Sequence, residues 1–458
     1  MSVSNTHVDY DKALDEKWKL TRSAAAGVTL KDSREFITRR THEDDNQYTI
    51  RLEKAIYTNY TGRTLSGLKG AIFRLDPRVE LPDDLDFMRQ NADGAGQSII
   101  QVAKYATDEV MLTGRFGMLA DYPSVEEGLT AEQINRMGLQ PHIATYTAES
   151  IINWHVHTHN GKQHLGMLVL KEQKQVHYDE FVWDYVDQYR VLRMNDEYQY
   201  TQQLYDQDGD PITDEIVIRD AAGQPFDHIP FHFVGSNNNL PSIDEPVLYD
   251  IARVNIGHFR NSADHENNLS VHGGGTLVVS TDMSVEAFQA ANPGGITVGE
   301  NSGIVLSEGG KAELLQLNSA GAIREEMEHK EQMMVQIGAK IISKGGGQRT
   351  AMEAMIQATS ENSMLDTVVG NIDEGITGVL TDCRRFVSTT EAEIQFQLNN
   401  DFWQDSIAPQ EIMAMIQGYD AGVMPKVEIV RRLKDAGWIQ NDALPEDILA
   451  AIDQESPL

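Results

Sequence analysis

The stretch Ala322-Ile-Arg-Glu-Glu-Met-Glu-His-Lys-Glu-Gln-Met-Met-Val-Gln-Ile-Gly-Ala-Lys-Ile-Ile-Ser-Lys-Gly-Gly-Gly-Gln-Arg349 organises the reading of this 458-residue chain. Ile323, Met327, Met334, Ile337 and Ile341 recur on or near one helical face, while Arg324, Glu325, Glu328, Lys330 and Glu331 take the other. The spacing predicts a helix over 322–343, roughly 33 Å long. Lys344-Gly345-Gly346-Gly347-Gln348-Arg349 ends it, because three residues without Cβ free the backbone. A matching helix is expected upstream, over 243–269: Ser242 with Glu245 reads as a capping box, and Pro246 suits the first turn. Between the two lie 271–321, read as short strands and Gly-rich turns around a small helix near Val285–Ala291. Thr350 with Glu353 opens a third helix to about Arg385, weak at Gly370, Gly375 and Gly378. An alternating strand, Glu393 to Leu398, follows.

Residues 6–120 read as mostly helical, with one pattern from Asp44 to Phe73 and another from Ser98 to Leu112. From about 148 to 235 the period becomes two. Ile152, Trp154 and Val156 alternate with His155, His157 and His159, and Asn160-Gly161 is a strong hairpin signal that sets His157 opposite His164. The rest is a meander with turns at Asn195-Asp196, Asp206 to Asp210 and Ala222-Gly223. Ser236 to Pro241 reads as a linker and domain boundary. From Pro409 the pattern is small helices at 410–417, 425–436 and 445–453. The fold class is therefore α+β.

Composition bounds the function. The length suggests roughly three domains. The chain carries 38 Lys+Arg against 70 Asp+Glu, a formal net charge of −32. Such a chain does not bind DNA by a broad basic surface, nor an anionic membrane. Cys383 is the only cysteine, so neither an intrachain disulfide nor a multi-Cys zinc site can form, as suits a reducing compartment. Met1 to Trp18 is acidic without an apolar run, unlike a signal peptide, and no run approaches a membrane span.

The chemical motifs read as structural. His272-Gly-Gly-Gly275 resembles an oxyanion-hole string, but no G-x-S-x-G elbow accompanies it. Gly345 to Thr350 lacks the spacing of a phosphate loop. Asp206-Gln-Asp208-Gly209-Asp210 begins like a calcium loop, yet Val217 stands where the twelfth-position Glu belongs. His155, His157 and His159 on one strand face could hold zinc; solvent-facing polar positions are the preferred reading. No catalytic residues and no cofactor are assigned.

Several strings, in order, resemble the portal proteins of tailed bacteriophages, most nearly a phage-associated subgroup of unknown function. They are Tyr48-Thr-Ile-Arg-Leu-Glu-Lys-Ala55, Tyr60-Thr-Gly-Arg-Thr-Leu-Ser-Gly67, Gly70-Ala-Ile-Phe73, Gly114-Arg-Phe-Gly117 and Asp121-Tyr-Pro123, then Arg260-Asn-Ser-Ala-Asp-His-Glu266, Ile337-Gly-Ala-Lys-Ile-Ile342, Thr350-Ala-Met-Glu353, Ser363-Met-Leu365 and Asn400-Asp-Phe402. The resemblance implies a portal fold: an α/β wing over 1–242 and 351–404, stem helices at 243–270 and 322–343, a small β-rich clip at 271–321, a tunnel loop at 344–350, and a short helical crown at 405–458. The long third helix would be the wing's spine.

It also implies a ring, usually of twelve copies, at one capsid vertex. The ring would pass double-stranded DNA transiently in packaging and ejection and bind the major capsid protein, the large terminase and a head-tail adaptor. No membrane is involved; the setting would be the virion, with host cytoplasm during assembly. An acidic wall would keep the duplex off the channel. Lys340, Lys344, Gly345, Gly346, Gly347, Gln348 and Arg349 become the channel loop. Asn292, Pro293, Gly294, Gly295, Glu300 and Asn301 become the docking surface. Arg324, Glu325, Glu328, Lys330 and Glu331 become the subunit interface. The competing readings are a metal-dependent hydrolase using the His-rich strand and a monomeric structural adaptor.

Overall fold

A computed structural model describes residues 2–123, 139–159, 161–272, 276–293, 304–315, 320–342, 364–400, 402, 409–435 and 448–449. The chain forms two compact units, Met1–Lys69 with Val79–Phe396, and Gly70–Arg78 with Gln397–Leu458. The architecture is α+β. The first helices are α1 (Val8–Ala13), α2 (Lys19–Ala26), α3 (Leu30–Phe36), α4 (Asp45–Lys54), α5 (Tyr60–Ile72) and α6 (Ile99–Thr113). The pattern expected to run unbroken from Asp44 to Phe73 is interrupted at 55–59. Asp44 and Gln47 cap α4, and the Asn59 side chain accepts from the Gly62 N–H at 2.7 Å.

Short β1 (Arg78–Glu80) precedes α6, which starts at a Ser98/Gln101 capping box and stops at Gly114, where φ is +69°. A Cβ there would lie 2.5 Å from the Asp244 carbonyl oxygen, so this turn needs glycine. Strand β2 (Arg115–Asp121) follows and is central in an antiparallel sheet, between β3 (His142–Thr147) and a later strand, Phe231–Gly235. Residues 115–120 are all buried, so this strand has no polar alternation to read.

A second sheet is the expected meander: β4 (Ile151–His159), β5 (Lys162–His177), β6 (Trp183–Met194), β7 (Tyr200–Tyr205) and β8 (Ile216–Val217), in that order. Its core joins Trp154, Leu168, Val191, Leu192, Tyr200 and Phe226 to Trp18 of the N-terminal helices. Strands β5 and β6 run well past the alternating stretches at 165–170 and 188–194, into outer halves that lack the alternation that marks a half-buried strand. The Asp206 loop is a hairpin turn: its carboxylate accepts from the Asp208 and Asp210 N–H groups at 3.0 and 2.9 Å.

The chain returns as β9 (Phe231–Gly235). Residues 236–241, expected to be a linker, are instead tied down. The Asp244 carboxylate accepts from the Asn237 and Asn238 N–H groups at 2.7 and 3.0 Å, and Asn239 donates to the Asn371 carbonyl at 3.0 Å. No division between the two units falls there.

In the second unit, helices Pro409–Asp420 and Lys426–Asp435 form a hairpin. Met415 is buried against Met424, Ile429 and Leu433, and Gly422 turns the chain at φ +73°. Of the expected helix at 445–453, only 448–449 fall within the described residues.

Candidate functional site: the paired long helices and their insertion

Helix α7 (Tyr249–His272) begins six residues later than the expected 243, so the Ser242/Glu245 capping box does not form. Its groups are committed elsewhere. Ser236 Oγ donates to the Glu245 carbonyl at 2.7 Å, the Glu245 carboxylate pairs with Lys17 at 2.8 Å, and Asp244 closes the turn described above. At 24 residues α7 is about 36 Å long.

The first half of α7 is embedded. Ala252, Ile256, Phe259 and Ala263 are buried against Ala24, Phe36, Ile37 and Leu52, and Ile251 is buried as well. Asn255 is fully buried in the break between α4 and α5. Its Oδ1 accepts from the Tyr60 and Thr61 N–H groups at 3.1 Å each, and its Nδ2 donates to the Thr58 carbonyl at 2.9 Å. Arg260 Nε donates to the Phe36 carbonyl at 2.7 Å, and Asp264 receives Arg40 at 2.6 Å. Nearby Arg51 and Glu43 form a buried pair at 2.7 Å; that hydrogen bond outweighs burial and holds the Glu43 carboxyl down at about 2. Beyond Ala263 no described α7 side chain is buried. Residues 264–268 are half-buried and Leu269 is exposed.

The insertion follows. Strand β10 (Thr276–Ser280) and helix α8 (Val285–Ala291) lead to β11 (Lys311–Leu315), which pairs with β10 so that Thr276 faces Leu315. Ser284 caps α8. Asn292, expected on a docking surface, fastens the insertion: its Oδ1 accepts from the Val305 N–H at 2.9 Å and its Nδ2 donates to the Val305 carbonyl at 3.0 Å. Pro293 sits in the adjoining turn, while Gly294, Gly295, Glu300 and Asn301 lie outside the described residues. So do Gly273 to Gly275.

Helix α9 (Ala320–Ile342) then runs back, antiparallel to α7 and about 35 Å long. Midway, Lys330 packs over Gly257, and Glu331 Oε1 lies 3.2 Å from His258 Nε2. His258 is buried, and burial, which outweighs Glu331, keeps its pKa below the ordinary value. Met334 and Ile341 bury the expected apolar face, whereas 321–333 contain no buried described side chain.

The charges expected to pair between copies are largely paired within one chain. Arg324 reaches Glu328 at 2.9 Å and Lys330 reaches Glu326 at 2.8 Å, both one turn along the helix, and Glu331 faces His258. Glu325 is exposed. Lys340 is on α9, and its side chain lies outside the described set, as do Lys344, Gly345, Gly346, Gly347, Gln348 and Arg349. The Thr350/Glu353 capping box does too.

Helix α10 (Met364–Arg385) continues unbroken through the glycines read as weak points. Gly375 and Gly378 are where it meets β9: a Cβ on Gly375 would sit 2.6 Å from Val234 Cγ2, and one on Gly378 2.6 Å from the His232 ring. Near its end Asp382 is clamped by His228 at 3.1 Å and His232 at 2.9 Å. Short β12 (Gln395–Gln397) replaces the expected longer strand.

His157 does pair with His164, ring centroids 6.4 Å apart, but His157 Nε2 is hydrogen-bonded to the Tyr198 hydroxyl. Among the described residues no three His, Cys, Asp or Glu side chains converge as a metal's ligands. Sequence reading missed Asn255, whose role depends on a tertiary cleft. It also missed the exposed cluster Tyr178, Phe181, Val182, Trp183 and Tyr185, whose local density of apolar residues was the available signal.

Residues 247–387 match a family described as a domain of unknown function, DUF4055. The matched segment covers both long helices, the insertion and α10. None of the curated proteins matches the chain. Among solved structures, similar chains come from the virion of a native gene transfer agent particle, at 12% identity and TM-score 0.41 over 90% of this chain and 97% of that one. Others come from the necks of such particles. One is native with C12 symmetry, at 12% identity and TM-score 0.40 over 89% and 97%. Another is empty with C6 symmetry, at 12% identity and TM-score 0.37 over 88% and 96%. Among the described residues no helix is long and apolar enough to cross a membrane.

Proposed function

We propose that this chain is a portal protein, a ring-forming conduit at one vertex of a phage-like capsid, with a mechanical and not an enzymatic role. The observation that carries the reading is the antiparallel pair α7/α9. It is anchored along its first part by Asn255, Arg260 and Asp264 and carries the β10/α8/β11 insertion at its far end. A helix pair with charged, exposed faces needs neighbours, and copies around an axis supply them. On this reading α7 and α9 are the stem, the insertion is the clip that docks a packaging motor and a head-tail adaptor, α10 is the spine, and the capsid protein surrounds the wing. Lys344 and Arg349 would brush DNA phosphates without holding them, since few contacts give a shallow salt dependence.

Negative-stain images and native mass spectra of the purified chain test this. Closed rings of about twelve copies are expected, and monomer alone across concentration and salt would overturn it. Arg349→Ala with Lys344→Ala should assemble normally yet package shorter or poorly retained genomes.

A further inference from the structure

The geometry points to a contact between copies in which the tip of the β5–β6 hairpin enters a partly apolar cleft at the opposite end of the same sheet on the next subunit. Strand β4 stops pairing with β5 at Leu170, and β7 stops pairing with β6 at Tyr189. Glu172 still accepts from the Tyr146 hydroxyl of β3 at 2.7 Å, and beyond it residues 173–177 and 183–187 stand as a two-stranded ribbon reaching about 17 Å past the sheet. A two-stranded ribbon is marginal in water unless something packs on it.

Its end gathers large apolar side chains in solvent. Phe181 is 79% exposed, with Tyr178, Val182, Trp183 and Tyr185 also in solvent. Trp183 pairs with His177 and Tyr185 with Gln175, so one face of the ribbon carries both aromatic rings. Such density of exposed aromatic side chains marks an interaction site.

The receiving surface lies at the other end of β5. A cleft of about 310 Å³ has Val156, Leu165, Phe231, Phe233, Leu240 and Pro241 as its apolar wall, with polar side chains, Glu374 among them, completing the lining. Leu240 is 61% exposed at its rim. From Leu165 to His177 the strand runs about 40 Å without a break, so no chain can place its own tip in its own cleft. The two ends of one rigid sheet are thus a plug and a socket that only a second copy can join. A contact between two different patches is heterologous, the kind that generates rings.

This inference rests on the ring reading above, and the test separates the two. Phe181→Cys with Leu240→Cys joins plug to socket; both positions are exposed, and the one native thiol, Cys383, is fully buried. Oxidation should give a ladder of covalent oligomers that neither single variant gives. Phe181→Asp with Trp183→Asp should keep the wild-type melting temperature and lose association at least tenfold. Rings that persist in that double variant, with no ladder from the cysteine pair, would overturn the plug-and-socket contact and leave the ring reading standing, the tip then serving another occupant. A ladder of open chains with no closed ring would support the contact and overturn the ring. Wild-type protein that never associates would overturn both.

Discussion

Asn255 shows how one side chain sets a local architecture. Buried polar groups cost stability unless they are bonded, and this carboxamide answers two backbone N–H groups and one carbonyl in the break between α4 and α5. Asn255→Ala leaves those groups unpaired and should cost about 3 kcal/mol, read as a lower urea midpoint with an unchanged slope. Asp382 carries a pH dependence. Burial raises its carboxyl pKa, but the bonds and charge of His228 and His232 outweigh that and pull it down to about 2. Burial lowers the His228 pKa; Asp382, then Asp227, outweigh burial and hold it above 6.5, with Arg385 3.4 Å from the same ring. The depressed carboxyl contributes stability above pH 3.8 that is lost as pH falls toward 2. The raised imidazole contributes below pH 6.5 and that part is lost as pH climbs through its folded value. Thermal melts of wild type and Asp382→Asn should therefore differ most between about pH 4 and 6.5 and converge on either side. A constant difference from pH 4 to 9 would contradict the clamp.

Among the elements, α10 is the clearest case of a pattern whose meaning only packing supplies. Glycine lowers helix propensity wherever it occurs, so Gly370, Gly375 and Gly378 look alike in sequence. Gly370 has nothing within 4 Å of where a Cβ would be, whereas Gly375 and Gly378 let the helix lie directly on β9. Gly370→Ala should stabilise by up to about 1 kcal/mol through propensity. Gly375→Ala should destabilise by about 1–3 kcal/mol, because Val234 is in the way. Equal shifts in the two melting curves would rule out this distinction. The α7/α9 pair teaches the same lesson about charge. Arg324, Lys330 and Glu331 looked available to neighbours, but Arg324 and Lys330 reach carboxylates one turn along their own helix and Glu331 reaches His258.

For the whole molecule, that in-chain pairing has a consequence. A contact between copies built on apolar surface, between chains of net charge −32, is opposed by like-charge repulsion that salt screens. Association should strengthen as salt rises from about 0.05 to 0.5 M, seen by sedimentation velocity. Weakening over that range would return the interface to ion pairs of the exposed α9 face.

The two long helices, the insertion between them, the meander and the α+β class were legible because each rests on a short-range period. Three to four residues mark a half-buried helix, two mark a half-buried strand, and glycine or Asn-Gly marks a turn. The His157–His164 pairing followed from the same local register. What the period could not carry needed the tertiary structure. Strand β2 is buried throughout and so has no alternation, and the outer β5–β6 ribbon is exposed on both faces and so has none either. The start of α7 was misplaced because Asp244 and Glu245 bond to distant partners that compete with a local cap. Asn255, the His228–Asp382–His232 clamp and the cleft opposite the ribbon join residues far apart in the chain. Their proximity is a property of packing, which depends on which surfaces exclude water together and not on the order of residues along a strand or helix.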